Sequence, residues 1–210
     1  MAGEHRGVGI LGGTFDPLHL GHLIIAEEAR TQLRLQEVIF VPAGRPYHRA
    51  RLPVADTASR LAMVRLGVAS NPAFRVSMVD IERTGPSYSV DTVQDLRQEL
   101  GEGVPLFFIM GWDALRELHS WHRPDLLADL CRIVAVRRPG VAEADWAVLE
   151  RAVPRARERI LQLDMPLIGI SATDIRRRVA HGLSIRYWVP DPVSAHIAAH
   201  GLYRPLSPQD

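Results

Sequence analysis

The fold is decided by the stretch GVGILGGTFDPLHLGHLIIAEEAR, which occupies residues 7–30. Its apolar run at residues 8–11 is short and uninterrupted, which is typical of a strand that is buried on both faces of a sheet. Gly12 and Gly13 end this run, and residues 20–35 carry apolar and small side chains at helical spacing. The stretch therefore predicts a strand, a glycine turn and a helix in direct succession.

The same alternation continues along the chain. The apolar runs predict further strands at residues 38–41, 74–79, 106–110 and 132–137, and the helical periods predict helices at residues 57–70 and 91–100. Apolar strands that alternate with amphipathic helices form a parallel sheet covered on both faces. We therefore predict a doubly wound, Rossmann-like α/β fold, with a peripheral helix-prone stretch at residues 139–159. A C-terminal helical segment is expected at residues 173–180 and 192–200.

The composition bounds the class of protein. The 210 residues are 47% apolar and 23% charged, and no change in composition marks a linker, so we expect a single domain over residues 1–210. The 25 Lys and Arg residues are balanced by 24 Asp and Glu residues, which argues against a general nucleic-acid binder. No apolar run reaches about 18 residues, and residues 1–8 do not resemble a signal peptide, so we expect no membrane span and a cytoplasmic location.

The single cysteine, Cys131, excludes a disulfide within the chain and a zinc site with several cysteines. It lies in the apolar stretch at residues 130–134. We therefore interpret it as a small buried core residue and not as a nucleophile.

The loop at residues 12–22 offers an anion site, because it follows a strand and leads into the start of a helix. It matches neither the Walker loop nor the dinucleotide fingerprint. The phosphate partners that it offers are His19 and His22, which are three residues apart and so share one side of the first helical turn. Gly21 between them allows a ligand or a neighbouring backbone to approach closely. Two other interpretations stay open: a metal site, which lacks further ligands at matching spacing, or a purely structural histidine pair.

A second candidate phosphate site is the stretch ISATDIR at residues 170–176. Ser171 can cap a helix, with Asp174 as the acid of a capping box. Thr173 and Arg176 would then share one face of the first turn. A hydroxyl, backbone N–H groups and a guanidinium that converge in this way suit phosphate oxygens.

These two stretches resemble the two motifs of the nucleotidylyltransferase superfamily, GGTFDPxHxGH and ISxTxxR. The resemblance implies that His19, His22 and Arg176 are catalytic. It further implies that residues of both motifs bind ATP, namely Gly12, Gly13, Thr14, Phe15, Ser171 and Thr173.

The rest of the chain resembles nicotinate-nucleotide adenylyltransferases. The resemblance covers nearly the whole chain, and its segments are VPAGRPYHR at residues 41–49, GPSYSVDT at 85–92, IMGWDAL at 109–115, LHSW at 118–121, RRPG at 137–140 and GLYR at 201–204. It implies that Gly111 and Asp113 hold the ribose of ATP. It also implies a mononucleotide pocket formed by His48, Arg49, Tyr88, Ser89 and Trp121.

Within that pocket, the resemblance implies that Trp121 stacks on the pyridine ring and that the backbone N–H groups of Tyr88 and Ser89 bind the nicotinate carboxylate. On the residues alone, Trp121 could equally be a core side chain, and Asp113 an ordinary helix cap. Tyr47 departs from the family pattern, which has proline there. Trp112 is bulkier than usual, and it could either narrow the ribose pocket or face away from it.

The resemblance implies transfer of AMP from ATP to nicotinate mononucleotide, giving nicotinate adenine dinucleotide and pyrophosphate. The attacking phosphate is already ionised at pH 7, so we expect direct in-line attack without a general base or a covalent intermediate. Mg²⁺ is expected on the substrate phosphates and not in a metal site of the protein. The alternatives are a phosphopantetheine adenylyltransferase and a non-catalytic nucleotide-binding regulatory protein. We expect no nucleic-acid or membrane partner, and a homo-oligomer is compatible with the sequence.

Overall fold

The computed structural model describes residues 7–47, 54–137, 142–165 and 168–205. The predicted site residues His48 and Arg49 lie outside the described residues. In the part of the chain that the structure describes, no helix is long and apolar enough to cross a membrane.

One parallel sheet organises the molecule. Its strands are β1 (Val8–Gly13), β2 (Glu37–Pro42), β3 (Phe74–Val76), β4 (Leu106–Gly111), β5 (Arg132–Arg137) and β6 (Ile160–Asp164). Their spatial order is β3-β2-β1-β4-β5-β6, and each neighbouring pair is parallel. The order reverses between β1 and β4, and ligands of such sheets bind beyond the carboxyl ends of the strands at this reversal.

Helices occupy both faces of the sheet and the end of the chain. They are α1 (Leu20–Gln32), α2 (Thr57–Val68), α3 (Val79–Glu82), α4 (Ser89–Leu100), α5 (Trp112–Glu117), α6 (Pro124–Leu130), α7 (Trp146–Ala152), α8 (Ala156–Arg159), α9 (Ala172–Ala180) and α10 (Asp191–Ala199). A short 3₁₀ turn, Leu118–Ser120, follows α5.

Alternate residues of the central strands pack against the helices on opposite faces of the sheet. Ile10 and Phe108 pack on one face against residues of α4 to α7, whereas Leu11 and Ile109 pack on the other face against residues of α1 and α2. Successive side chains of a strand point to opposite faces of the sheet. Because these strands are apolar at both odd and even positions, both faces must be covered by helices. The predicted doubly wound parallel sheet is therefore confirmed, and so is the C-terminal helical segment, α9 and α10.

Some predicted elements differ from the observed ones. The strand expected at residues 74–79 ends at Val76, and Val79 already begins α3. The sequence analysis missed β6, because it relied on continuous apolar runs, whereas this five-residue edge strand alternates half-buried and exposed residues after Ile160. It also missed α5 and α6, which have only 6 and 7 residues and so carry little helical periodicity.

Cys131 lies in the core, with 8% of its surface exposed. Its Sγ donates to the Leu127 carbonyl oxygen at 3.2 Å. Burial raises the pKa of the thiol to about 12, so the thiolate form is scarce at neutral pH. The position agrees with the interpretation of Cys131 as a core residue.

Candidate active site

A cavity of about 450 Å³ opens at the carboxyl ends of β1 and β4, where the strand order reverses. Segments from distant parts of the chain line it. Of the predicted site residues, the lining includes Gly12, Gly13, Thr14, Phe15, His22, Ser89, Gly111, Asp113 and Trp121. Another cavity, of about 510 Å³, lies near the amino ends of β4 and β5 around Arg97 and Arg132, and the described residues of its lining include none from either motif.

The loop after β1 is shaped around Phe15. This residue is buried and has a φ of 49°, a left-handed backbone conformation that non-glycine residues rarely adopt. Its ring meets the His22 ring edge-on, with centroids 5.0 Å apart. A Cβ atom at Gly13 would lie 3.2 Å from the Phe15 ring. A side chain at position 13 would therefore require the Phe15 ring, which contacts His22, to shift by a few tenths of an ångström.

The two histidines of the first motif form a stacked pair. His19 is the N-cap of α1, and its ring centroid lies 3.7 Å from that of His22. The His19 backbone N–H donates to Nδ1 of His22 at 3.3 Å. When neutral, His22 must then carry its proton on Nε2, because Nδ1 acts as an acceptor. His22 is thus an oriented N–H donor in the cavity lining, whereas His19 is buried beside it.

Gly21 brings the second motif to the first. A Cβ atom at this position would lie 3.0 Å from Nδ1 of His19 and 3.7 Å from the carbonyl oxygen of Ile170. Glycine at this position was expected to admit either a ligand or a neighbouring backbone, and in the structure the backbone of Ile170 lies there. The start of the second motif therefore lies next to Gly21, which stands between the two histidines in the sequence.

The second motif adds a cation to this loop. The Ser171 hydroxyl caps α9 by accepting from the Asp174 backbone N–H at 3.1 Å, and it donates to the Asp174 carboxylate at 2.7 Å. One Nη atom of Arg176 donates to the Asp16 carbonyl oxygen at 2.7 Å, and the other donates to the Thr173 hydroxyl at 3.2 Å. The structure therefore joins Arg176 to the first motif across 160 residues of sequence.

Several predicted site residues lie next to the cavity and not in its lining. They are His19, Tyr88, Ser171, Thr173 and Arg176. Ala172, at the start of α9, does line it, so the first turn of α9 borders the cavity. The neighbouring Arg177 has 69% of its side chain exposed and pairs with Asp174, away from the Asp16 loop.

The part of the cavity that is expected to bind the ribose of ATP lies where β4 ends. Gly111 is the N-cap of α5, and Asp113 is exposed in the first turn of that helix. Asp113 is therefore not the helix cap that the residues alone allowed. Trp112 is buried, and its Nε1 donates to the Ala142 carbonyl oxygen at 2.9 Å. It faces away from the cavity and does not narrow it.

Another part of the cavity is bordered by aromatic side chains. Trp121 lines it and meets Phe108 edge-on, with ring centroids 6.1 Å apart. The Tyr88 ring packs between Tyr47 at 4.6 Å and His122 at 4.2 Å. Trp121 is therefore a cavity residue that also rests on the core, so the two interpretations of it are not exclusive.

Tyr88 and Ser89, the two residues expected to bind the nicotinate carboxylate, use their backbone N–H groups differently at the start of α4. The Tyr88 backbone N–H donates to the Pro86 carbonyl oxygen at 3.2 Å, within a tight turn. Ser89 begins α4 and lines the cavity. The first N–H groups of a helix have no partner inside the helix, so Ser89 is the better placed donor of the two.

Sequence reasoning missed Arg60, which ties two loops of the site together. This side chain is 1% exposed, and its guanidinium donates to the carbonyl oxygens of Thr14 at 2.9 Å and Ala43 at 2.8 Å. Burial lowers the pKa of Arg60, and the nearby Asp16 opposes this shift. A usable signal exists in the sequence, because Arg60 precedes Val64 by four residues and so shares its buried helical face.

Replacing Arg60 with methionine is expected to destabilise the protein. The apolar side chain would leave buried carbonyl oxygens of both loops without donors, at a cost of about 3 kcal/mol in the free energy of unfolding. Urea unfolding measures this quantity. Arg65→Met, at an exposed position of the same helix, is the control and should change it by less than about 0.5 kcal/mol. Equal stabilities of the two variants would contradict the assigned role of Arg60.

A buried carboxylate supports the segment before α4. Asp80 is 6% exposed and lines the cavity, and it accepts from the Thr92 hydroxyl at 2.6 Å and from Arg83 at 2.8 Å. Burial raises the pKa of Asp80, and these two partners oppose the rise. The resulting network fixes α3 against α4 at the cavity wall.

The described ranges contain no group of three or more His, Cys, Asp or Glu side chains that could hold a metal ion. Asp16, the carboxylate within the loop at residues 12–22, accepts hydrogen bonds from the backbone N–H groups of Val54 and Ala55 and from the Tyr203 hydroxyl.

Comparisons with known proteins agree with this geometry. A family model for cytidylyltransferase-like proteins matches residues 10–178. A protein of Thermomicrobium roseum, described as a probable nicotinate-nucleotide adenylyltransferase, is 48% identical over 94% of this chain and 91% of its own length. A protein of Moorella thermoacetica with the same description is 46% identical, over 94% and 92%.

A solved structure shares the fold. It is the nicotinic acid mononucleotide adenylyltransferase of Plasmodium falciparum complexed with NaAD, which has a TM-score of 0.74 at 17% identity and covers 95% of this chain and 98% of its own. At this identity the likeness shows the fold alone.

Proposed function

This chain belongs to the nicotinate-nucleotide adenylyltransferase family, and we propose that it transfers AMP from ATP to nicotinate mononucleotide, releasing nicotinate adenine dinucleotide and pyrophosphate. The observation that carries the proposal is the contact between the two motifs. Arg176 donates to Asp16, whose loop also holds His22 in the cavity lining. One cavity therefore has an oriented imidazole donor and a guanidinium at its edge, as a polyphosphate requires.

The reaction needs charge neutralisation more than proton transfer. A phosphate oxygen of the mononucleotide attacks the α-phosphorus of ATP, and the bond to the bridging oxygen breaks, so that its electron pair leaves with pyrophosphate. Both reactants are anions, and positioned cationic or N–H donors lower the barrier most in such transfers. His22 Nε2–H would donate to an α-phosphate oxygen, and Arg176 would balance the charge of the leaving pyrophosphate.

The glycine turn and the two helix starts complete the phosphate site. Gly12 and Gly13 let the polyphosphate approach the backbone, while Thr14 and Phe15 carry the chain to the start of α1. Ser171, the N-cap of α9, and Thr173, in its first turn, lie beside the same cavity. His19 supports His22 by stacking on it. Mg²⁺ would come bound to the phosphates of ATP, where it would neutralise charge and be held mainly by substrate oxygens and water.

The substrates would occupy opposite sides of the cavity. Asp113 can accept hydrogen bonds from the ribose hydroxyls of ATP, beside the Gly111 backbone. Trp121 offers a ring face to the pyridine of the mononucleotide. The first-turn N–H of Ser89 would bind the nicotinate carboxylate, with Tyr88 beside it.

An acceptor assay tests the proposed function. The protein is mixed with ATP, Mg²⁺ and one acceptor, and pyrophosphate release is followed. We expect release with nicotinate mononucleotide and little with phosphopantetheine. Release with phosphopantetheine alone would assign the other transferase activity, and no release with any acceptor would point to a regulatory nucleotide-binding protein.

Replacing Trp121 with alanine is expected to raise the KM for nicotinate mononucleotide by roughly 10-fold, because a stacked ring contributes up to about 1.5 kcal/mol beyond its burial. The kcat at saturation and the KM for ATP should change little. Trp146→Ala is the control, since it removes a ring of the same size that packs on the core outside the cavity lining. A change in the KM for ATP instead would reverse the assignment of the two sides.

Several expectations stay predictions. They concern the binding of the mononucleotide by His48 and Arg49, the single-domain organisation, the cytoplasmic location, the homo-oligomer and the lack of a nucleic-acid partner.

A further inference from the structure

A tyrosine of the C-terminal segment, Tyr203, contacts the loop that forms part of the proposed phosphate site. Helix α10 ends in a Schellman turn, in which the Gly201 N–H donates to the Ala198 carbonyl oxygen at 3.4 Å and the Leu202 N–H donates to the Ile197 carbonyl oxygen at 3.1 Å. Gly201 has a φ of 61°, as this turn requires. The turn reverses the chain and places Tyr203 in the interior, where 8% of its surface is exposed.

The phenol of Tyr203 meets the first motif. Its hydroxyl donates to Oδ1 of Asp16 at 2.7 Å, although 187 residues separate the two in sequence. Tyr203 itself has a φ of 64°, so the backbone adopts a rarely populated conformation at the residue that makes this contact. Burial and the neighbouring carboxylate raise the pKa of the phenol above its usual range, which keeps the hydroxyl protonated as a donor.

The Asp16 carboxylate has two competing cationic neighbours. Its Oδ2 lies 3.8 Å from an Nη atom of Arg176, a separation too long for a direct hydrogen bond. Arg60 also acts on it electrostatically, but the Arg60 guanidinium is bonded to carbonyl oxygens. The carboxylate instead accepts three hydrogen bonds, from the backbone N–H groups of Val54 at 2.8 Å and Ala55 at 3.2 Å and from the Tyr203 hydroxyl.

We propose that Tyr203 is a positioning residue for the adenylyl transfer, because its hydroxyl holds the Asp16 carboxylate in an orientation that does not capture Arg176. Without the hydroxyl, the carboxylate has lost its shortest donor and can turn towards the guanidinium. A direct hydrogen bond from Arg176 to the carboxylate, in place of the present 3.8 Å ion pair, would then draw the cation away from the leaving pyrophosphate. This inference rests on the proposed function and gives the C-terminal segment a part in it.

The variant Tyr203→Phe tests the proposal, because the phenyl ring keeps its packing against Met63 and the α10 core. We expect kcat to fall by about 10-fold, within the range that a displaced catalytic group costs, while the KM for nicotinate mononucleotide stays unchanged. The affinity for pyrophosphate, measured by calorimetry, should fall with kcat. Tyr187→Phe removes the hydroxyl of a tyrosine that is 77% exposed in the same segment, and it should behave as wild type.

A double-mutant cycle separates positioning from a general structural role. In an Arg176→Ala background, the loss of the Tyr203 hydroxyl should not lower kcat further, since the group it positions is absent. Circular dichroism and the melting temperature establish that each variant is folded. An unchanged kcat in Tyr203→Phe, or the same loss in both backgrounds, would overturn the proposal. A wild-type protein that releases no pyrophosphate would instead refute the proposed function.

Discussion

Replacing His22 with alanine is expected to lower kcat by roughly 10²–10³-fold, the scale for losing one donor to the transition state. His22 lines the cavity, and its Nδ1 accepts from the His19 backbone, so the proton on Nε2 is directed by the fold and not by the substrate. Charge builds on the α-phosphate oxygens only as the new bond forms. The KM for either substrate should therefore change much less than kcat.

The measurement for His22 is steady-state pyrophosphate release at saturating substrates. His200→Ala serves as the control, because that imidazole is exposed at the end of α10 and does not line the cavity. A His22→Ala variant with near wild-type turnover would remove this imidazole from the chemistry.

The second large effect is expected for Arg176→Ala, with kcat reduced by about 10²-fold or more, because the leaving pyrophosphate would lose its main cationic partner. Arg176→Lys keeps the charge but not the planar pair of donors, so it should recover part of the loss. Arg177→Ala, at the adjacent exposed position, is the matched control and should keep wild-type turnover.

A stopped-flow measurement of a single turnover separates chemistry from product release in the Arg176 variants. We expect the chemical step itself to slow, since the guanidinium acts on the leaving group. If only the later release of pyrophosphate changed, Arg176 would be a product-binding residue with no part in the chemical step.

The central strands could be predicted from the sequence because they are buried on both faces. Strand β1 and strand β4 read as continuous apolar runs, and such runs have few alternative structures. The edge strand β6 could not be recognised, because one of its faces is solvated and its pattern alternates. Apolar runs in the sequence therefore identified five strands of the sheet, including the edge strand β3, and missed the other edge strand, β6.

The candidate site was predictable only where a motif marks it. The spacing of His19 and His22 places both on one helical turn, and the structure stacks their rings. Nothing local marks the contact between Tyr203 and Asp16, because it depends on how α10 packs and ends. Contacts of this kind follow from tertiary packing, which no period in the sequence encodes.

The central claim is that the two motifs meet around one triphosphate, and a crystal structure with a non-hydrolysable ATP analogue and Mg²⁺ tests it most directly. The account predicts Nε2 of His22 within about 3.2 Å of an α-phosphate oxygen, and the Arg176 guanidinium at a similar distance from the β- or γ-phosphate. A triphosphate bound in the Arg97–Arg132 cavity, or one in the expected cavity that neither side chain reaches, would contradict it.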